Sequence, residues 1–353
     1  MRFLFDVNHP AHVHLLRGAL ESLRRRGHEC RVTARDKDVT TRLLEGYGLE
    51  YTVPAPIGRG FLGWTREFVQ RELGLVALCR RYRPHVIAGT SINAARVARV
   101  VGARSAVLNE DDARVVPIFA RLAYPLASAI VTPECLAYER HGARHHTYPS
   151  YQELFYLHPS RFVPDPSVRA ELGVAEGERY VLMRLSALEA HHDRGVRGVS
   201  DDFLGRVRAM LEGAGLRLFI SSEKPLDPQW EPFRLHLPPE RAHDALAFAE
   251  LFVGDSQTMT AEAAVLGTPA FRINDFVGRL AYLAELERYG LAFGFRPGEE
   301  ARLLEALSVL LGNPRRREEM AERRAKMLAE RIDPLPWLVA LLERLGEEAA
   351  SAA

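Results

Sequence analysis

Short apolar runs alternate with helical patterns along nearly the whole chain, and no other feature restricts the fold as much. Residues 3–7, 30–34, 51–53, 86–88, 106–108 and 130–132 read as strands, with helical stretches between most of them; the first helix covers about 13–26 before a break at Gly27. The rhythm restarts at 180–183, 216–220, 251–253 and 270–273, separated by helical patterns such as 202–211 and 242–250. Consecutive strands joined through helices run parallel, and the crossing helices cover both faces of the sheet they build. The expected class is α/β, in two Rossmann-like domains.

At 353 residues the chain exceeds the roughly 250 to 300 at which a single hydrophobic core stops growing. Between the two series of strands, Tyr148-Pro149-Ser150, His158-Pro159 and Val163-Pro164-Asp165-Pro166 interrupt regular structure with proline. This sets the expected domains at 1–160 and 161–330, followed by a helix and tail at 331–353. In the last segment Trp337, Leu338, Leu341 and Leu342 share one helical face, which suits core packing, including a terminal helix that packs back towards the first domain. No sequence repeat relates the two halves.

Lysine plus arginine number 47 against 46 acids, a net charge of +1, so the chain carries no electrostatic footprint for nucleic acid. Cys30, Cys79 and Cys135 stand far apart without a CxxC pair, which argues against a disulfide framework or structural zinc and fits a reducing compartment. The N-terminus meets Asp6 too early for a signal-peptide core, and no apolar run approaches the roughly 20 residues that span a bilayer. A cytoplasmic protein is expected, with any membrane contact peripheral. Ile57-Gly58-Arg59-Gly60-Phe61-Leu62-Gly63-Trp64 reads as a glycine-punctuated loop that lines a cleft, joins the core or touches a lipid surface.

Ligands of open α/β sheets bind beyond the carboxyl ends of the strands, so the loops there hold the candidate residues. Gly254-Asp255-Ser256-Gln257-Thr258-Met259-Thr260-Ala261-Glu262 reads as a strand end, a hydroxyl-rich turn and a helix with one early carboxylate. Free NH groups at a helix start take phosphate, and Ser256, Gln257 and Thr258 would present them to a diphosphate while Glu262 accepts from a ribose diol. Ser256 or Thr258 as a plain helix cap, with Gly267-Thr268-Pro269 ending the helix, explains the same letters. In the loop after 180–183, Arg184, Ser186 and His192 are candidates to meet the diphosphate, and His236 and Leu237 to read a base.

The first strand leads into Asn8-His9-Pro10-Ala11-His12-Val13-His14. His12 is the candidate general base, with helix-capping and metal-binding readings beside it; the spacing matches no familiar zinc site. Gly89-Thr90-Ser91 forms a second small turn, fit to cradle an acceptor, and Asn109-Glu110-Asp111-Asp112 a third segment, in which Asn109 and Glu110 would orient His12 or hold sugar hydroxyls while the two aspartates suit helix capping. GxGxxG after a strand, GxxxxGK[ST], GxSxG and HExxH do not occur.

These segments, together with Ile130-Val131-Thr132-Pro133-Glu134-Cys135 and Tyr151-Gln152-Glu153-Leu154, resemble a widespread archaeal and bacterial family of unknown function with a predicted glycosyltransferase-B (GT-B) fold. The resemblance runs nearly end to end and implies two Rossmann-like domains facing across a cleft. His12-Val13 and Gly89-Thr90-Ser91 are also similar to loops of the peptidoglycan N-acetylglucosaminyltransferase, and Asp255, Ser256 and Glu262 to the nucleotide-binding turn of non-hydrolysing UDP-N-acetylglucosamine epimerases, where Gln257-Thr258 here replace a glycine pair. The implied activity is metal-independent transfer of sugar from a nucleotide sugar, UDP-linked, to a glycan or lipid-linked acceptor in polysaccharide biosynthesis, with no cofactor beyond that donor. Epimerisation of the nucleotide sugar and non-catalytic binding are the alternatives.

Overall fold

The computed structural model describes residues 1–36, 39–58, 60–186, 200–222 and 225–352, with residues 61, 62 and 64 described by their backbone alone. In chain order the elements are β1 (Arg2–Val7), α1 (Pro10–Arg25), β2 (Glu29–Ala34), α2 (Val39–Gly46), α3 (Gly60–Tyr82), β3 (Val86–Gly89), α4 (Ile92–Val101), β4 (Arg104–Leu108), α5 (Pro117–Ala123), β5 (Ala129–Pro133), β6 (His145–Tyr148) and α6 (Leu154–Leu157). They continue with α7 (Val168–Glu171), β7 (Arg179–Leu185), α8 (Asp201–Gly213), β8 (Leu216–Ser222), α9 (Ala242–Phe248), β9 (Leu251–Gly254), α10 (Gln257–Leu266), β10 (Ala270–Ile273), α11 (Ala281–Arg288), β11 (Ala292–Phe295), α12 (Glu300–Gly312), α13 (Arg316–Glu330) and α14 (Pro334–Ser351). Two compact units result: Met1–His158 with Ile332–Ala353, and Pro159–Arg331.

The first unit holds a six-stranded sheet in the order β2-β1-β3-β4-β5-β6, and each neighbouring pair is parallel. Phe3, Leu4, Phe5, Asp6 and Val7 are all buried, as befits a strand covered on both faces. The C-terminal helix α14 belongs to this unit. Its Leu335 side chain lies against Gly18 of α1, and the ring of Trp337 stands 5.6 Å from that of Tyr148. Leu338, Leu341 and Leu342 are buried, so the face read from the sequence is the packed one.

The second unit holds a five-stranded parallel sheet, β11-β10-β9-β7-β8. Read from β8, its order repeats that of the first unit read from β2: the second strand of the chain segment lies outside the first, and the third lies on the first strand's other side. The sheets thus share a point where the connections diverge, between β1 and β3 and between β7 and β9. Ligands of open α/β sheets sit at such points. One face of the second sheet packs Phe203, Val207, Leu303 and Leu307 of α8 and α12 against Val181, Val253 and Phe271.

Several sequence expectations change. Residues 51–53 contribute one bridge, Thr33 to Thr52, and no strand. Strands β6 and β11 were not foreseen, and the proline-rich interval contains the buried turn of helix α6. The expected loop over 57–64 gives way to α3 from Gly60 onward; Arg59 and the side chains of Phe61, Leu62 and Trp64 lie outside the described residues. Asp111 and Asp112 cap no helix: α5 begins after Val116 without a side-chain cap, while Asp112 is fully buried and accepts the Tyr138 hydroxyl. No helix among the described residues is long and apolar enough to cross a membrane.

Close backbone approaches sit at both divergence points. By register Gly89 of β3 lies opposite Asp6 of β1, and Gly254 of β9 opposite Arg184 of β7. A Cβ at either glycine would collide with the partner's carbonyl oxygen. Gly89→Ala should therefore lower the stability of the first unit by about 1–3 kcal/mol, the usual cost of overpacking. Guanidinium unfolding checks this, with Gly205→Ala as the control, since nothing lies within 4 Å of a Cβ there.

Candidate functional site

In the first unit the site grows from Asp6, the last residue but one of β1. Its carboxylate is inaccessible to solvent and accepts from Thr33 Oγ1 (2.8 Å), Arg71 Nη2 (2.5 Å) and Ser91 Oγ (2.5 Å). Ser91 in turn caps α4, accepting the Ala94 amide at 2.9 Å. One carboxylate thereby fixes the start of the helix that follows β3. Arg71 also donates to the Ala34 carbonyl, and Arg35 pairs with the neighbouring Glu67, which accepts the Gly58 amide. Burial alone would raise the Glu67 pKa, but the hydrogen bonds from Arg35 and Gly58 and the charges of Arg35 and Arg71 outweigh it and hold the carboxyl below its ordinary value.

The three histidines of the first loop have three different settings. His9 is exposed and caps α1, its Nδ1 accepting the Ala11 amide at 3.3 Å. His14 is buried within α1, stacked on Tyr156 and 3.2 Å from the Tyr47 hydroxyl. His12 keeps some exposed surface, and its Nδ1 accepts the Asn8 amide at 3.4 Å. In the neutral ring the proton is then on Nε2. Desolvation by burial, and secondarily the neighbouring His9, lower its pKa from 6.5 to about 3. With Nδ1 engaged by the Asn8 amide, Nε2 is the ring nitrogen left for a ligand.

Asn109 is spent locally: its amide nitrogen donates to the Asp111 carbonyl and to the Tyr124 hydroxyl, at 2.5 and 2.9 Å. Orientation of His12 comes from the Asn8 backbone instead. Glu110 is buried, and with Glu153 it adds to the burial that raises the Tyr148 pKa well above its usual value. Three other polar atoms, Asn8 Oδ1, Thr90 Oγ1 and Asn93 Nδ2, are buried without a hydrogen-bond partner. They lie at the β1–α1 and β3–α4 connections and the first turn of α4. Asn93, the second residue of α4, was not among the sequence candidates; only its burial without a partner singles it out, since native proteins leave few such groups unpaired.

The second unit repeats the arrangement. Gly254-Asp255-Ser256 follows β9 as Gly89-Thr90-Ser91 follows β3, and Ser256 caps α10 by accepting the Met259 amide at 3.3 Å. Gln257 and Thr258 are the first residues of α10 and are part-exposed, with backbone NH groups at the open helix start. Asp255 is buried and accepts the Ser186 amide at 2.8 Å; burial is the main cause that raises its pKa. Asn274 ties the Asp255 carbonyl at 2.7 Å. Arg184 reaches Ser221 of β8 at 2.7 Å and stays part-exposed. Glu262 is 5% exposed and lies 3.0 Å from His243 Nε2, a buried pair that joins α10 to α9. The sequence offered no signal for His243. His236 is exposed and Leu237 half-buried, on a segment tied to β8 where the Leu235 amide meets the Ile220 carbonyl. His192 lies outside the described residues. Among the described residues no group of three or more His, Cys, Asp or Glu side chains is placed to hold a metal ion.

The sequence pattern of the family described as "Protein of unknown function (DUF354)" matches residues 1–199. Comparison with curated protein sequences gives no match. Among solved structures, UDP-GlcNAc 2-epimerase from Neisseria meningitidis bound to UDP-GlcNAc is similar with a TM-score of 0.72 at 11% identity, over 98% of this chain and 100% of that one. The spinosyn forosaminyltransferase SpnP gives 0.62 at 18% identity over 97% and 99%. The glycosyltransferase VinC in complex with dTDP gives 0.60 at 16% over 99% and 100%. At such identities the likeness establishes the fold, two parallel-sheet α/β units of the GT-B type.

The His12 environment sets a pH dependence. The unfolded chain takes up this proton near pH 6.5 and the folded chain only near 3, so between those values the unfolded state binds more protons and stability rises with pH. The contribution is fully present above about 6.5 and fades as pH falls towards 3. His12→Asn should flatten the acid limb of the stability curve, measured by guanidinium unfolding over that window.

Proposed function

The chain belongs to the DUF354 family, and we propose that it is a metal-independent glycosyltransferase using a nucleoside-diphosphate sugar. The observation that carries this reading is the pair of Gly-x-Ser turns, each capping a ten-residue helix where the strand connections diverge. The second turn takes the donor. NH groups at the start of α10, with Gln257 and Thr258 around them, hold the diphosphate, and Arg184 adds positive charge. The buried Glu262–His243 pair fixes the wall against which the nucleoside rests. The structures similar to this chain include proteins solved with UDP-GlcNAc and dTDP, which is why UDP- and dTDP-linked donors come first.

The first turn takes the acceptor. Asn8, Thr90 and Asn93 offer amides and hydroxyls, the groups that pair with sugar hydroxyls, and His12 donates from Nε2 to the reacting oxygen. The acceptor proton leaves with the departing diphosphate, whose charge the α10 NH groups meet. A cytoplasmic enzyme that extends a glycan or lipid-linked acceptor fits these roles.

Calorimetry with UDP and dTDP, followed by product analysis with their sugars, tests the donor assignment. Binding should appear with one of them and weaken about tenfold in Ser256→Ala/Thr258→Ala, the loss of one or two hydrogen bonds. No heat from any nucleotide or nucleotide sugar removes the proposal, and an altered sugar still linked to nucleotide, formed without acceptor, makes the chain an epimerase. For His12, a donor role predicts that His12→Gln keeps turnover within about tenfold while His12→Ala loses more. Equal losses of about 10² or more in both variants would restore the general base.

A further inference from the structure

Helix α5 is apolar on both sides, yet one side faces solvent. Its inner side, Phe119, Ala120 and Ala123, packs on the cluster formed by Ala95, Val107, Tyr124 and Ile130. Its outer side carries Ile118, 58% exposed, and Leu122, 42% exposed, one turn apart, and the row continues to Leu126 in the short turn that follows. A short helix with apolar groups on both sides does not arise from solvation; one side is made to be covered. A groove of about 580 Å³ opens along another side of α5, with Pro117, Ala120, Tyr124 and Ile130 among its lining.

The charges around this surface select what covers it. Arg114, Arg121 and Arg144 line the groove, and Arg140 is exposed on the turn that leads to it. Arg114 pairs with Asp112 at 3.2 Å, and Arg144 donates to the carbonyls of Pro125 and Ala127. Among the described residues no carboxylate pairs with Arg121, Arg140 or Arg144, and the nearby Glu139 is engaged by His141 and the Ala113 amide. A second copy seated here by a two-fold axis would place arginines against arginines. An exposed apolar row on a helix whose groove and following turn carry arginines, three of them without a carboxylate partner, fits an anionic bilayer surface: alkyl side chains enter the acyl boundary and guanidinium groups meet phosphates.

We infer that the outer face of α5, with the arginines of its groove and following turn, docks this protein on anionic membrane surfaces. This seat is built from residues other than 57–64, and it stands whether or not the chain transfers sugars. The test is flotation of the full chain with vesicles of phosphatidylcholine alone and with about one-third phosphatidylglycerol, at physiological and raised salt. The wild type should float with the anionic vesicles only and be released by salt, because phosphate contacts are screened. Ile118→Ser/Leu122→Ser and Arg121→Glu/Arg140→Glu should each reduce the bound fraction at least tenfold with unchanged thermal melting, as all four residues are exposed. Equal recovery with both vesicle types, no recovery with either, or variants that float like the wild type would each overturn the inference. So would a dimer in sedimentation that Ile118→Ser/Leu122→Ser dissociates while flotation is absent: the face would then belong to a second copy.

Discussion

The buried carboxylate of Asp6 is the constraint on which the first unit's functional end depends. It joins β1 to Thr33 of β2, to Arg71 of α3 and to Ser91 at the start of α4. Burying a carboxylate is costly unless a cation and hydrogen bonds satisfy it, and removing one partner of such a set leaves the other charge stranded. The set is therefore an alignment device more than a source of net stability. It holds the Asn8–His12 loop and the Thr90–Asn93 turn in one register, because Asp6 stands opposite Gly89 in the sheet.

The second unit reaches the same arrangement by other means. Gly254 lets β9 lie against the Arg184 backbone, Asp255 fastens the Ser186 amide, and Ser256 caps α10. In both units a glycine permits the close approach and a serine two residues later starts the helix. Where the first unit spends an ion pair behind its turn, the second spends a buried aspartate held by amides, with Asn274 behind it. The difference matters for ligands: Arg184 remains part-exposed beside the second turn, whereas Arg71 is consumed beneath the first.

Much of this was legible in the letters. Strands such as β1, β5, β9 and β10 are continuous apolar runs that end in turn residues, and the helices between them carry clear periodicity, so parallel sheets followed. The weaker strands failed that test. His145-His146-Thr147-Tyr148 carries little apolar signal and Ala292-Phe293-Gly294-Phe295 is short and interrupted by glycine; both sit at sheet edges, and pairing with β5 and β10 makes them strands. Residues 57–64 looked like a loop because three glycines interrupt them, although the buried Glu67 and Arg71 anchor the helix that starts there. Among the site residues, Ser256 as a cap was readable from position; Ser91 as a cap came only with the structure. The separation of His9, His12 and His14 into a cap, a part-exposed ring held by a backbone amide and a core residue was not, since it rests on Tyr47, Tyr156 and the Asn8 amide.

The sequence by itself determined the parallel α/β class, its division into two units and the places where helices begin beyond the strand ends, because these follow from local periodicity and from glycine, serine and proline acting within a few residues. Only the tertiary structure decided that the two Gly-x-Ser turns are equivalent, that Glu262 is paired with His243 and that the His12 Nδ1 accepts the Asn8 amide. The first two depend on strand order, burial or a hydrogen bond between segments far apart in the chain, and such partners become neighbours only once the sheets have formed.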